Sequence, residues 1–318
     1  MNMKMNFNFI LSGDILKRFI ISVFAILFAV FGCACEESIK SDKISIVCTT
    51  FPQYDWVKNI VGDNADKFDI YWLVNTGADV HSYQPTAQDF VKLCDADLII
   101  NIGGESDEWA EENANGDVIT MLDCAQIECE EEHTGEHEHE HTIDEHIWLS
   151  LKSSAVICNK ISDILSKLDT ENAETYKQNC ENFTDKMNEL DLRITKKLQQ
   201  KDSKPLIFAD RFPFKYFVED YDLQYHSAFP GCSAETEASF ETVITLANEI
   251  DKNGVSYVFT IDSGSSSIAD TVISNAKRSD VEILNLNSLQ SVSKADFESG
   301  LTYLDVMNEN VEKILKAL

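Results

Sequence analysis

An α/β protein of two βα lobes with mainly parallel sheets, joined by one long rigid linker helix, is the fold this sequence predicts. Three observations predict it. Short apolar runs alternate with helical stretches, the alternation occurs in two separate sets, and a single unbroken helical pattern lies between them. Strands alternating with helices argue for parallel sheets covered by helices.

The first set has strands at 44–49, 68–73, 98–102 and 118–121, with helices near 54–61, 86–93 and 108–114. Thr86 followed by Asp89 reads as a helix start. The second set has strands at 206–209, 256–261 and 281–286, with helices near 214–221, 240–253, 268–278 and 303–318. Between the sets, Tyr176, Cys180, Phe183, Met187, Leu190, Ile194 and Leu198 are spaced 4, 3, 4, 3, 4, 4, one apolar stripe on a helix from about 170 to 200. No Gly or Pro interrupts it. At 1.5 Å per residue such a helix is roughly 45 Å long and can brace both lobes. A coiled coil is the weaker reading, because no partner helix pattern is visible beside it.

The N-terminus reads as an export signal. Lys4, Lys17 and Arg18 precede an apolar run over 19–31 that ends at Gly32-Cys33. The run is short for a membrane span and suits a secretory signal. Gly-Cys after such a run resembles a bacterial lipobox, with Cys33 lipidated and Cys35 a second candidate. An uncleaved anchor would tether the protein on the same side. The expected organisation is a signal peptide over 1–32, a tether over 33–43, an N-terminal lobe over 44–168, a linker helix over 169–201 and a C-terminal lobe over 202–318. The protein is expected to be extracytoplasmic, lipid-anchored to the bacterial cell membrane.

About 285 residues follow the signal, ample for a large core and more suited to two lobes than one. The net charge of −29 argues against nucleic-acid partners and suits a cation-attracting exterior. The nine cysteines show no disulfide spacing. Cys48, Cys94, Cys158 and Cys180 fall at apolar-periodic positions and read as small core residues. Cys124 and Cys129 flank an acidic tract, where pairing, metal contact and ordinary packing all stay open.

That tract, 128–146, holds nine carboxylates, five of the chain's seven histidines and no Lys or Arg. So much like charge cannot bury itself, and a His-rich tract reads as metal binding. The plainer reading is an acidic surface loop with incidental histidines. Its His133, His137, His139 and His141 form a candidate auxiliary metal loop within 128–145, and His146 ends the tract. His81 lies in Gly77-Ala78-Asp79-Val80-His81-Ser82-Tyr83-Gln84-Pro85, after the second strand, in a βα loop of the kind where open α/β folds bind ligands. Taken singly, either histidine is more often a hydrogen-bonded structural residue than a ligand. Both fall in loops of the same lobe.

With these motifs the chain resembles the solute-binding lipoproteins of zinc and manganese ABC importers. The segment around His81 is similar to that family's first metal-His motif, and Asp144-Glu145-His146-Ile147-Trp148-Leu149 to its second. The acidic His loop before the second motif, the long linker helix and Tyr303-Leu304-Asp305-Val306-Met307-Asn308-Glu309-Asn310 also look like the family, so the resemblance runs from about 44 to 318. It implies a metal cleft between the lobes, capture rather than catalysis, Zn²⁺ (alternatively Mn²⁺) as transported ligand, and an ABC permease with its ATPase as partners, with the protein itself a monomer.

Two positions depart from the family. Its third ligand falls at Arg211, which stays protonated and cannot ligate a cation, and its fourth falls at Asn287. Asp210 and Glu237, with Glu235 beside the latter, are the candidate substitutes, although the two glutamates suit a helix start equally. Arg211 could instead pair with Asp210, Glu235, Glu237, Glu105 or Glu108 and close the cleft. The candidate metal ligands are therefore His81, His146, Asp210 and Glu237. A surface adhesin or metal buffer, and a zinc hydrolase built on two His and a carboxylate, stay as alternatives. No His-Glu-x-x-His helix supports the hydrolase.

Overall fold

The computed structural model describes residues 42–125, 143–199, 204–229, 231, 238–262 and 265–318. The signal run, Cys33, the acidic loop with His133, His137, His139 and His141, and Glu235 and Glu237 lie outside the described residues.

Residues 43–318 form one compact unit. Its N-terminal half is a parallel sheet of β1 (Ile44–Cys48), β2 (Phe68–Trp72), β3 (Leu98–Asn101) and β4 (Asp117–Thr120), in the order β2-β1-β3-β4. Helices α1 (Phe51–Val61), α2 (Ala87–Asp95), α3 (Glu108–Glu112) and α4 (Met121–Cys124) connect and flank these strands. Thr86 caps α2 by accepting from the Asp89 amide, and the Asp89 side chain bonds back to the Thr86 amide, the reciprocal cap its spacing predicts. The C-terminal half repeats the plan. Strands β5 (Leu206–Phe208), β6 (Tyr225–Ser227), β7 (Tyr257–Ile261) and β8 (Glu282–Leu286) are parallel in the order β6-β5-β7-β8.

Two helices lie between the sheets. The first, α5 (Leu151–Leu168), was not anticipated; it starts where the Ser150 side chain accepts from the Ser153 amide. The second, α6 (Ala173–Leu198), carries the stripe read from the sequence, with Tyr176, Cys180, Phe183, Met187, Leu190 and Ile194 all buried. A short turn after Asp169 folds the two into a hairpin, so α6 does have a helical partner. Helices α7 (Lys215–Asp220), α8 (Phe240–Asn253), α9 (Ser267–Asn275), α10 (Lys294–Glu298) and α11 (Tyr303–Ala317) complete the fold.

Cys48, Cys158 and Cys180 are buried, as expected. Cys94 is exposed, a correction: on α2 the neighbouring Leu93 takes the inward position, and adjacent helical residues cannot share a face.

The largest hydrophobic core does not stop at the lobe boundary. Trp56 of α1, Trp148, Tyr176 of α6, Phe208 of β5 and Tyr303 of α11 belong to one buried cluster. The Tyr303 hydroxyl donates to the Trp148 carbonyl at 2.7 Å, and the Trp148 indole donates to the Ser288 carbonyl at 2.8 Å. Asp55 of α1 accepts from the Tyr303 amide at the start of α11. The carboxyl ends of both sheets lead into loops that meet across this seam.

Candidate metal centre

Both histidines stand on short turns that their own sequence stabilises. Gly77 turns the chain after β2 with φ +79°, a conformation glycine adopts without strain. Asp79 then accepts from the His81 amide at 3.0 Å and caps the 3₁₀ turn Val80–Ser82, which the buried Val80 pins to the core. His146 opens a second 3₁₀ turn, Ile147–Leu149, whose three side chains are buried. Asp144 Oδ1 lies 2.9 Å from both the His146 amide and His146 Nδ1. With Nδ1–H donating to this carboxylate, His146 presents the lone pair of Nε2.

The two rings meet at their Nε2 atoms, 3.2 Å apart. His81 Nδ1 is 2.7 Å from Ser106 Oγ and 3.6 Å from Glu145 Oε2. Glu145 is itself buried, and its other oxygen accepts from the Ser106 amide at 3.0 Å. Its place against the β3 loop depends on Gly104: a Cβ there would come within 2.2 Å of the Glu145 carboxylate. Asp107 holds the same loop, accepting from the Thr49 hydroxyl and the Ile102 and Gly103 amides. Burial pushes the Asp107 carboxyl up to about 6; the three hydrogen bonds oppose this and Glu145 adds to it.

The C-terminal half contributes an amide. Gln290, buried after β8, places Oε1 3.2 Å from His146 Nε2. Without a cation, rotating the amide about its last bond would offer NH₂ to the imidazole lone pair; with one, the oxygen faces inward. Two ligand nitrogens on one tetrahedral zinc, each about 2.05 Å from the metal, are separated by about 3.3 Å. The His81–His146 and His146–Gln290 separations both fit that requirement. Neutral imidazoles and an amide oxygen are donors a divalent cation accepts.

At Asn287, where the resemblance puts the family's fourth ligand, the amide donates to Asn310 Oδ1, the carbonyl accepts from Asn310 Nδ2, and the side chain accepts from the Leu289 amide. Asn287 shapes the loop, and Gln290 three residues later reaches the histidines. The two oxygens of Asp210 accept from the amides of Arg211 and Ile261, tying β5 to β7. Arg211 does make an ion pair across the cleft, with Asp79 at 2.9 Å, an acid the sequence did not suggest. Among the described residues no three His, Cys, Asp or Glu side chains converge as a ligand set. Gln290 escaped sequence reading because an uncharged amide in Ser288-Leu289-Gln290-Ser291 carries no ligand signature.

Comparison with known proteins places this geometry in context. The model of the ZnuA family, described as zinc-uptake complex component A periplasmic, matches residues 46–317. The zinc-binding lipoprotein AdcA of Streptococcus pneumoniae is 28% identical over 304 residues, covering 91% of this chain and 59% of AdcA. This chain therefore spans about 59% of the length of those relatives. The high-affinity zinc uptake system protein ZnuA of Bacillus subtilis is 27% identical, covering 88% of this chain and 89% of that protein. The fold matches the lipoprotein YcdH of Bacillus subtilis with a TM-score of 0.72 at 24% identity, covering 87% of this chain and all of that one. It also matches a manganese-bound periplasmic metal-binding protein of Candidatus Liberibacter asiaticus with a TM-score of 0.67 at 22% identity, covering 86% and 99% of the respective chains.

Proposed function

We propose, for a chain that belongs to the family of periplasmic zinc-uptake complex component A, that it captures Zn²⁺ outside the cytoplasm and hands it to an ABC-type permease and its ATPase. His81, His146 and Gln290 would hold the ion. The observation that carries the reading is the 3.2 Å approach of the two Nε2 atoms, with His146 oriented by Asp144 and His81 by Ser106 and Glu145. Two imidazoles whose Nε2 atoms converge on one point can both turn a lone pair on a shared cation. Zinc is favoured over manganese because nitrogen supplies two of the three donors, whereas manganese prefers a shell of oxygens. Relatives named for zinc binding and zinc uptake support the same choice.

The protein would bind and release its cargo unchanged. Lipidation at Cys33 would hold it at the membrane, and the acidic His133–His141 tract would gather metal near the cleft as a weaker, many-sited collector. Because both imidazoles must be neutral to ligate, affinity falls in acid. Calorimetric titration of the metal-free protein with zinc and with manganese, repeated on His81→Ala and His146→Ala, tests the reading. Each substitution should weaken zinc binding by at least 10-fold, roughly the loss of one imidazole donor. If zinc binds equally well to both variants, the cleft is not the site.

A further inference from the structure

Arg211 stands where the family places a ligand, and its surroundings give it a different task. Its guanidinium donates to Asp79 Oδ2 at 2.9 Å. The other oxygen of Asp79 accepts from the His81 amide at 3.0 Å. Asp262 follows Ile261, whose amide donates to Asp210, and lies in the left-handed region at φ +54°, an uncommon conformation for a residue other than glycine. Asp262 accepts from the Ser288 amide and the Ser288 hydroxyl, both at 2.8 Å, and that hydroxyl is 3.5 Å from the Gln290 amide. Burial raises the Asp262 carboxyl above the usual carboxylate range; the two Ser288 hydrogen bonds and the charge of Arg211 oppose this, and Asp79 adds to it. Asp210 fixes the main chain beneath this cluster through the amides of Arg211 and Ile261.

We propose that Arg211 is the positioning residue of the metal centre: its guanidinium holds the His81 loop through Asp79, while Asp210 beside it ties the same segment to the end of β7, where Asp262 fixes the Gln290 loop through Ser288, so that the two donor loops keep the separation one ion requires. Without Arg211 the His81 loop would lose its tie to the segment that Asp210 anchors at the end of β7. This rests on the metal-capture reading of His81, His146 and Gln290.

The opposite role is also physically sensible. A guanidinium beside a cation site opposes the cargo, so its removal should tighten binding. The two roles predict opposite signs for Arg211→Met. As a positioning residue, its loss should weaken zinc affinity by about 10- to 100-fold, the range seen when a group supporting a ligand is removed. Arg211→Lys should recover only part of this, because an ammonium keeps the charge but not the planar, pre-organised donor that meets Asp79. Asp79→Asn, which keeps an oxygen for the His81 amide, should resemble Arg211→Met. The double variant should be no weaker than either single one, since both remove one interaction.

Zinc affinity by competition with a chromophoric chelator reads these outcomes, with metal-free melting confirming that each variant folds. If Arg211→Met binds zinc as tightly as the parent chain, or more tightly, while His81→Ala still loses affinity, the positioning role is wrong and the capture reading stands. Should Arg211→Met melt early, the comparison rests on Arg211→Lys and Asp79→Asn, and additive losses in their double variant would overturn the proposal. If His81→Ala has no effect, the capture reading fails first.

Discussion

Replacing Gln290 by Glu changes one atom pair and converts a neutral donor into an anionic one. Oε1 of Gln290 already lies 3.2 Å from His146 Nε2, so a glutamate in the same rotamer places a carboxylate oxygen where zinc would find it. A divalent ion and a carboxylate about 3 Å apart attract by about 11 kcal/mol at an effective dielectric of about 20. Burying that carboxylate costs several kcal/mol, because Gln290 is only 3% exposed. The neutral amide oxygen also supplied part of the ion–dipole attraction. A net gain of about 1.5–3 kcal/mol, or roughly 10- to 100-fold in zinc affinity, is what remains. The metal-free protein responds the other way. There the new carboxylate faces the lone pair of His146, whose Nδ1 proton is committed to Asp144. The metal-free melting temperature should therefore fall while the zinc-bound one rises. Competition titration and paired melts with and without zinc measure both. Unchanged zinc affinity in Gln290→Glu would refute the placement of Gln290 among the donors.

Deleting 133–141 should slow zinc loading at limiting zinc and leave the cleft's equilibrium affinity intact; equal loading rates would dismiss the collector. Asp55 gives a stability test removed from the site. Burial raises its carboxyl to about 6 from 3.8, against the hydrogen bond from the Tyr303 amide and with a further upward push from Asp305. A raised folded-state value contributes stability that is full below the unfolded value of about 4 and lost as pH rises through about 6. At 1.36 kcal/mol per pH unit the contribution is at most about 3 kcal/mol. In denaturant melts, Asp55→Asn should therefore lose most against the parent near pH 4 and least near pH 7. A pH-independent difference would show that Asp55 does not titrate in this window.

Much of this architecture is legible from period and spacing. Strands β1 and β3 are visible as apolar runs, largely or wholly buried, and α6 is visible through a seven-residue stripe. Helix α5 carries a comparable stripe in Leu151, Ile157, Cys158, Ile161 and Leu165. Its start is hidden because a single polar residue, Ser150, separates it from the wholly buried Ile147, Trp148 and Leu149. Strand β6 has three residues with an intermediate or exposed face, too few to show a period. The histidines could be read because loops at the carboxyl ends of strands are where such folds gather ligands. Gln290 and the partner of Arg211 could not. Asp79 and Arg211 are 132 residues apart, and only the folded chain brings them together.

The core that runs unbroken from Trp56 through Trp148 to Phe208 and Tyr303 bears on how cargo can leave. Two bodies linked by a pliable strap can swing apart and let an ion go; two halves that share aromatic packing cannot separate without wetting Trp and Tyr side chains. Opening by that route would approach the free energy of denaturation itself. Release is then a matter for the small turns bearing His81 and Gln290, which a docked permease could displace by an ångström or two. A calorimetric scan of the metal-free chain should accordingly trace one cooperative endotherm over 43–318, with zinc moving it upward as a whole.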